Sequence, residues 1–333
     1  MAALAVALLA ALLVGEIAVR VLVGAPLHER LPLMRVRANP YRGWEMVPGE
    51  AHYTYEHLVH VNALGLRGPE VAEKEPGELR VLFLGDSLTY GQGVGDDETM
   101  PAALERALLA RDPRRRWTVV NGGVRAYGTA QELGMLEELG ARIRPDVVVL
   151  GWYWNDLDER PIELAYQEFL PRGAFEFDGR NERGDFSPLR WKLAQIPRMS
   201  ALAMFFHDLT SANKLYTPEV FEQGLNRLER LLEHFRELCT PLAATPLVAL
   251  IPDRHRLEGH DETRPFEERC AALADERGIA ALQLLPALEP LYRERGRLPV
   301  VPYDGHYDAD ANRAMGERLA ERVLELPVHG RAE

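Results

Sequence analysis

The chain has 333 residues, 47% of them hydrophobic and 27% charged, with a formal net charge of −12. That length holds one large domain or two small ones, with enough apolar material for a substantial core. The acidic balance argues against a nucleic-acid binder, which needs clustered Lys and Arg. It identifies no partner, since most of the charge reads as solvated surface. Cys239 and Cys270 allow one disulfide but no framework, and two small buried hydrophobes is the favoured reading. Neither shows metal-ligand spacing, and no HExxH or CxxC occurs, so no metal is expected.

Met1 to Gly15 is wholly apolar or small; Glu16 and Arg20 interrupt, and the apolar run resumes from Ile17 to Ala25. A spanning helix needs about 20 apolar residues, and this segment approaches that length if Glu16 and Arg20 pair at i, i+4 or lie near the interface. A membrane anchor over residues 1–25 is favoured. A cleaved signal peptide, ending near Val23-Gly24-Ala25, and a buried soluble helix are the alternatives. Arg20, Arg30, Arg35, Arg37 and Arg42 would keep the following flank cytoplasmic by the positive-inside rule. Arg is frequent throughout the chain, so that rule weighs little, and a membrane-anchored, extracytoplasmic domain is expected.

Residues 26–77 read as a connector with short strands. His52 to His60 suggests a strand or hairpin. Asn62 to Gly68 reads as a turn, with Arg67 better placed for a structural pairing with a carboxylate than for the cleft.

From Leu79 strands and helices alternate. Strands are expected over Arg80–Leu84, Trp117–Val120, Asp146–Leu150 and Pro246–Ile251. Helices are expected over Met100–Leu109, Thr129–Leu139, Phe221–Leu238, Phe266–Arg277 and Ala309–Leu326, the second with Thr129 as N-cap and Gly140 at its end. Such alternation implies an α/β fold, a doubly wound parallel sheet flanked by helices over residues 78–328. Ligands in such sheets bind at the carboxyl ends of the strands. A segment at about 157–216, with Trp191 and a polar stretch from Gly173 to Gly184, reads as an insertion, either a lid over the crevice or a surface excursion.

The first strand end is Gly85-Asp86-Ser87-Leu88-Thr89. A helix starting there aims backbone N–H groups at a bound oxyanion. It is not a G-x-S-x-G elbow, because Thr89 stands where the second Gly would be. Gly91-Gln92-Gly93-Val94-Gly95 lacks phosphate-loop spacing and reads as a flexible loop at the site's edge. The second strand end carries Asn121-Gly122-Gly123 and the third Asn155-Asp156; the Asn155 amide suits a developing oxyanion. A serine needs a base. Among ten histidines, His306 in the turn Val301–Tyr307 is the strong candidate, with Asp304 close enough to orient its ring. His255 and His260, in a charged loop after a strand, are weaker ones.

With these blocks in this order, the sequence resembles the SGNH/GDSL hydrolase family from about Leu79 to Glu325. The resemblance implies a three-layer flavodoxin-like sandwich and a serine esterase. Ser87 is then nucleophile and oxyanion donor, His306 the base, Asp304 its orienting carboxylate, and Asn155 and the backbone of Ala126 the further oxyanion donors. No metal or cofactor is implied. There are three departures: Ala126 stands where the family has Gly, with Gly123 as the fallback donor; Tyr153 stands where the third block has Gly, adding a hydroxyl or narrowing the cleft; and Asp304 is only two residues before His306. The expected substrate is a carboxylic acyl ester, on a small molecule, a glycan or a lipid. The alternatives are an O-acyltransferase using the same triad and a non-catalytic binding protein of this fold.

Overall fold

The computed structural model describes residues 1–157, 160–177, 187–210 and 218–328. Parts of the Gly173–Gly184 stretch and of the 157–216 segment therefore lie outside the described residues.

The chain opens with the apolar helix α1 (Ala2–Leu22), none of whose residues is buried. The connector follows as two antiparallel pairs, β1 (Arg35–Asn39) with β2 (Gly43–Met46), and the hairpin β3 (Ala51–Thr54) with β4 (His57–His60). Met34, Trp44, Val59 and Leu66 are buried in the same apolar cluster as the central sheet, so the connector is part of the core.

That sheet has five parallel strands. In chain order the remaining elements are β5 (Glu78–Gly85), α2 (Ser87–Tyr90), α3 (Met100–Arg111), β6 (Arg116–Gly123), α4 (Thr129–Ile143), β7 (Val147–Trp152), α5 (Ile162–Phe169), β8 (Phe175–Glu176), α6 (Pro188–Gln195), α7 (Ala201–Thr210), α8 (Pro218–Cys239), β9 (Thr245–Leu250), α9 (Arg264–Asp275), β10 (Ala280–Gln283), α10 (Leu285–Arg295) and α11 (Ala309–Glu325). The strand order is β10-β9-β7-β5-β6. It reverses between β5 and β7, and a crevice opens at the carboxyl ends of strands at such a switch point.

Alternation along the strands explains the two helical layers. Leu82, Leu84, Val148 and Leu150 point into one cluster with α4, α8 and α9. Val81, Phe83, Val147 and Val149 point into the other, with α3, α10 and α11. Both faces are covered, so all eight residues of β5 are buried, which is why its Val81–Leu84 stretch reads as a continuous apolar run. This is the doubly wound sheet expected from the sequence, with its hydrophobic N-terminal helix.

Two helix ends differ from the reading. Gly128, not Thr129, caps α4, and the helix runs past Gly140 to a left-handed Arg144. Gly140 sits under Leu242, where a Cβ would lie 2.8 Å from its side chain; close packing, not termination, accounts for that glycine. Cys239 and Cys270 are both free and buried. The short edge strand β10 was not foreseen, because Ala280–Gln283 carries few β-branched residues.

His52 on β3 is buried and pairs with the Tyr90 hydroxyl at 2.6 Å. Burial, with the Arg67 and Arg125 charges, holds its pKa down to about 3, from 6.5. The ring is therefore neutral in the folded chain. As pH falls from 6.5 toward 3, the unfolded chain takes up a proton that the folded chain refuses, so stability is lost across that window. The slope is at most about 1.4 kcal/mol per pH unit. A His52→Gln variant is expected to lose this acid slope when urea midpoints are followed against pH in detergent; identical slopes in both proteins would contradict it.

Candidate active site

The β5 strand delivers the chain to the crevice at Gly85. The Asp86 side chain caps the single turn of α2 by accepting from the Leu88 N–H at 2.8 Å, and Ser87 is the first residue of that turn. The turn lies tight against the sheet. A Cβ on Gly85 would come within 2.1 Å of Thr89 Oγ1, and one on Gly123 within 2.1 Å of the Tyr90 nitrogen. Glycine at both places lets α2 approach β5 and β6 closely enough to hold Ser87 at the mouth.

His306 arrives from the far end of the chain. The Val301–Tyr307 turn is closed by the Val301 N–H donating to His306 O at 2.8 Å and the Gly305 N–H to Val301 O at 3.2 Å. Gly305 has φ +92°, and the Arg254 guanidinium lies where its side chain would be, with Nη1 2.3 Å from the position of a Cβ. After the turn, the Asp308 side chain caps α11. His306 Nε2 lies 2.8 Å from Ser87 Oγ. Its Nδ1 makes a short contact with Asp304 Oδ1. With Nδ1–H donated to the carboxylate, Nε2 is the acceptor that faces the hydroxyl.

The other Asp304 oxygen accepts from the Tyr55 hydroxyl and from Gln92 Nε2, the latter at 2.8 Å. Burial alone would push the Asp304 carboxyl up. The His306 charge and the hydrogen bonds from His306, Tyr55 and Gln92 outweigh burial and hold it well below the usual carboxylate range. Asp304 is therefore an ionised, fully partnered acceptor. Tyr55, in the β3–β4 turn at φ +53°, and Gln92 were both missed from sequence. Tyr55 had no local signal, since its partner is 249 residues away. Gln92 stands inside the glycine-rich stretch, whose sequence suggests only a phosphate loop or a flexible edge. That stretch is in fact pinned: Arg67 donates to the carbonyls of Tyr90, Gly91 and Val94 at 2.7–2.8 Å and to Asp96 Oδ1 at 2.8 Å. Arg67 has the structural pairing with a carboxylate expected of it.

At the third strand end, Asn155 Nδ2 lies 3.3 Å from Asp86 Oδ2. Burial pushes the Asp86 carboxyl up, against the Leu88 N–H, the His306 charge and the Asn155 amide, which pull it down. Ala126 has φ +62°, the left-handed conformation for which glycine is the usual residue. Its N–H makes no hydrogen bond among the described residues, and neither does that of Ser87. The Gly123 N–H is taken by Asn121 Oδ1 at 2.9 Å, so the fallback donor is occupied. The Tyr153 hydroxyl turns to Asp253 Oδ2 at 2.8 Å, and His255 to Glu258 Oε2 at 2.9 Å, while His260 is exposed on the surface. Among the described residues no group of three or more His, Cys, Asp or Glu is arranged to hold a metal ion.

The arrangement supplies a hydroxyl, a base aimed at it, a carboxylate behind the base and unpaired donors around the mouth. Similar solved structures include an α/β hydrolase from the Lake Arreo metagenome (16% identity, 75% of this chain and 95% of that one, TM-score 0.43). A lipolytic G-D-S-L family protein of Veillonella parvula matches at 12% identity over 75% of this chain and 100% of its own, TM-score 0.43. A catalytic mutant of an acetylxylan esterase from Geobacillus stearothermophilus matches at 16% identity over 77% and 98%, TM-score 0.43. No curated protein matches the chain. The model of the GDSL-like lipase/acylhydrolase family matches residues 83–314, well over half of the sequence and the whole span from β5 into α11. The chain belongs to that family of ester hydrolases.

Proposed function

We propose that this protein is a serine esterase in which Ser87, His306 and Asp304 act as a triad on carboxylic acyl esters of a glycan, a lipid or a small molecule. The observation that carries the reading is the 2.8 Å contact of His306 Nε2 with Ser87 Oγ, made while Nδ1 faces a buried carboxylate. Ser87 Oγ attacks the ester carbonyl carbon as His306 Nε2 takes the hydroxyl proton. Asp304 holds the ring and stabilises its charged form. The carbonyl oxygen becomes an oxyanion, held by the N–H groups of Ser87 and Ala126 and by the amide hydrogen of Asn155 not directed at Asp86. Collapse expels the alcohol, which leaves with the proton from His306. Water, deprotonated by His306, then attacks the acyl-enzyme carbonyl, and the acid departs as Ser87 recovers its proton.

The helix α1 belongs to this reading as a membrane anchor: it has 21 residues, is apolar enough to cross a bilayer, and has no residue buried in the fold.

A Ser87→Ala variant is expected to lose p-nitrophenyl acetate hydrolysis by at least about 10³-fold. A fluorophosphonate probe is expected to label the parent protein at Ser87 and leave the variant unlabelled; wild-type turnover in Ser87→Ala would sink the proposal. Asp304→Asn should lower kcat by about 10²- to 10⁴-fold, since it allows the wrong ring tautomer. Tyr55→Phe and Gln92→Leu each remove one donor to Asp304 Oδ2, and each should lower kcat about tenfold, equivalent to about 1.4 kcal/mol, with KM little changed. Steady-state kinetics of the purified variants checks all three.

A further inference from the structure

The helices α6 and α7 take no part in the chemistry above, yet their surface is unusual for a water-soluble face. Leu189, Leu193 and Ile196 follow one another at i, i+4, i+7 and are 68%, 55% and 57% exposed. Met199, Phe206 and Leu209 continue the series at 71%, 58% and 67%. Single exposed apolar residues are ordinary, but a run of them on consecutive helices marks a contact surface.

What covers that surface follows from Glu16. This carboxylate accepts from Arg20 Nε at 2.6 Å, from Ser200 Oγ at 2.7 Å, and from the N–H groups of Ala201 and Leu202 at 3.0 Å each. It thus clasps the start of α7 to the side of α1. The Leu202 side chain lies 3.3 Å from where a Cβ on Gly15 would be, so glycine lets α7 sit close. Glu16 is six residues from the Leu22 end of α1, about 9 Å along the axis at 1.5 Å per residue. The whole helix is about 31 Å long, close to the thickness of the hydrocarbon core. An α1 that crosses a bilayer over its length therefore draws the start of α7 below the membrane surface. The same contacts give Glu16 the partners that a carboxylate in such a place requires.

We propose that α6 and α7 are a second membrane element, their apolar faces seated among the lipid acyl chains in the leaflet entered by the C-terminal third of α1. The proposal rests on the reading of α1 as an anchor. It also places the site, because the end of α1 lies on the loop that carries His306. Arg297 Nη1 donates to Val23 O at 3.1 Å and the Tyr303 hydroxyl to Gly24 O at 3.4 Å. The catalytic turn is then held at the bilayer surface.

The test uses the full chain in phosphatidylcholine–phosphatidylglycerol vesicles. Single cysteines replace Leu8, Leu193, Leu209 or Glu317 and are nitroxide-labelled; the native cysteines are buried, and the parent chain provides the labelling baseline. Spin-label accessibility to oxygen is compared with accessibility to a water-soluble nickel chelate. Labels at Leu8→Cys, Leu193→Cys and Leu209→Cys are expected to show a severalfold higher oxygen-to-nickel ratio than the exposed α11 control Glu317→Cys. A lipid signature at Leu8→Cys with aqueous values at both Leu193→Cys and Leu209→Cys would overturn the proposal and leave the anchor standing. Aqueous values at Leu8→Cys as well would overturn the anchor reading, and the proposal with it.

Discussion

The hydrogen bond between His306 and Ser87 joins residues 219 positions apart, and both ends of it are held by backbone rather than by chance side-chain reach. At one end, Gly85 and Gly123 let α2 press against β5 and β6, so the serine cannot drift from the strand ends without opening the core beneath it. At the other, Gly305 takes a left-handed conformation under Arg254, and Asp308 caps α11 two residues after the histidine. A contact of 2.8 Å that depends on two rigid elements is preorganised, which is what proton transfer from a hydroxyl requires.

Asp304 ties the rest of the molecule to that contact. One of its oxygens meets the imidazole; the other meets Tyr55 from the connector and Gln92 from the loop after α2. Burying a carboxylate is costly unless its acceptor capacity is filled. Here each oxygen has a donor, so the carboxylate stays ionised behind the ring. The partners are themselves braced. The Arg67 guanidinium fixes the loop bearing Gln92 through three carbonyls, and the Arg198 guanidinium lies over the Tyr55 ring at 5.0 Å. Arg198 belongs to the segment between α6 and α7, so the connector and the insertion both support the carboxylate from behind.

Much of this is legible in the sequence. A strand buried on both faces writes itself as an apolar run, and β5, β7 and β9 could be recognised from that alone. The residues at their ends followed, because chemistry in a parallel sheet collects where the strands stop. The turn with Asp304 and His306 is legible as a polar turn just before the last helix, with an aspartate near enough along the chain to orient the imidazole. Gly140 misled, because a glycine that makes room for Leu242 looks the same in sequence as one that ends a helix. The glycine-rich loop misled too, since flexibility was read where Arg67 imposes order.

By itself the sequence determined the class of fold, four of the five parallel strands with most of the helices that flank them, and the serine, histidine, aspartate and asparagine as candidate chemistry, because periodicity and strand-end position are properties of neighbours along the chain. Tertiary structure alone decided that Tyr55 and Gln92 face Asp304, that the Gly123 N–H is occupied while that of Ala126 is open, and that Glu16 of the first helix holds the start of α7. Those facts join segments up to 249 residues apart. No local pattern encodes which distant donor will fill a buried acceptor, since many placements satisfy the same hydrogen bond until the packed core selects one.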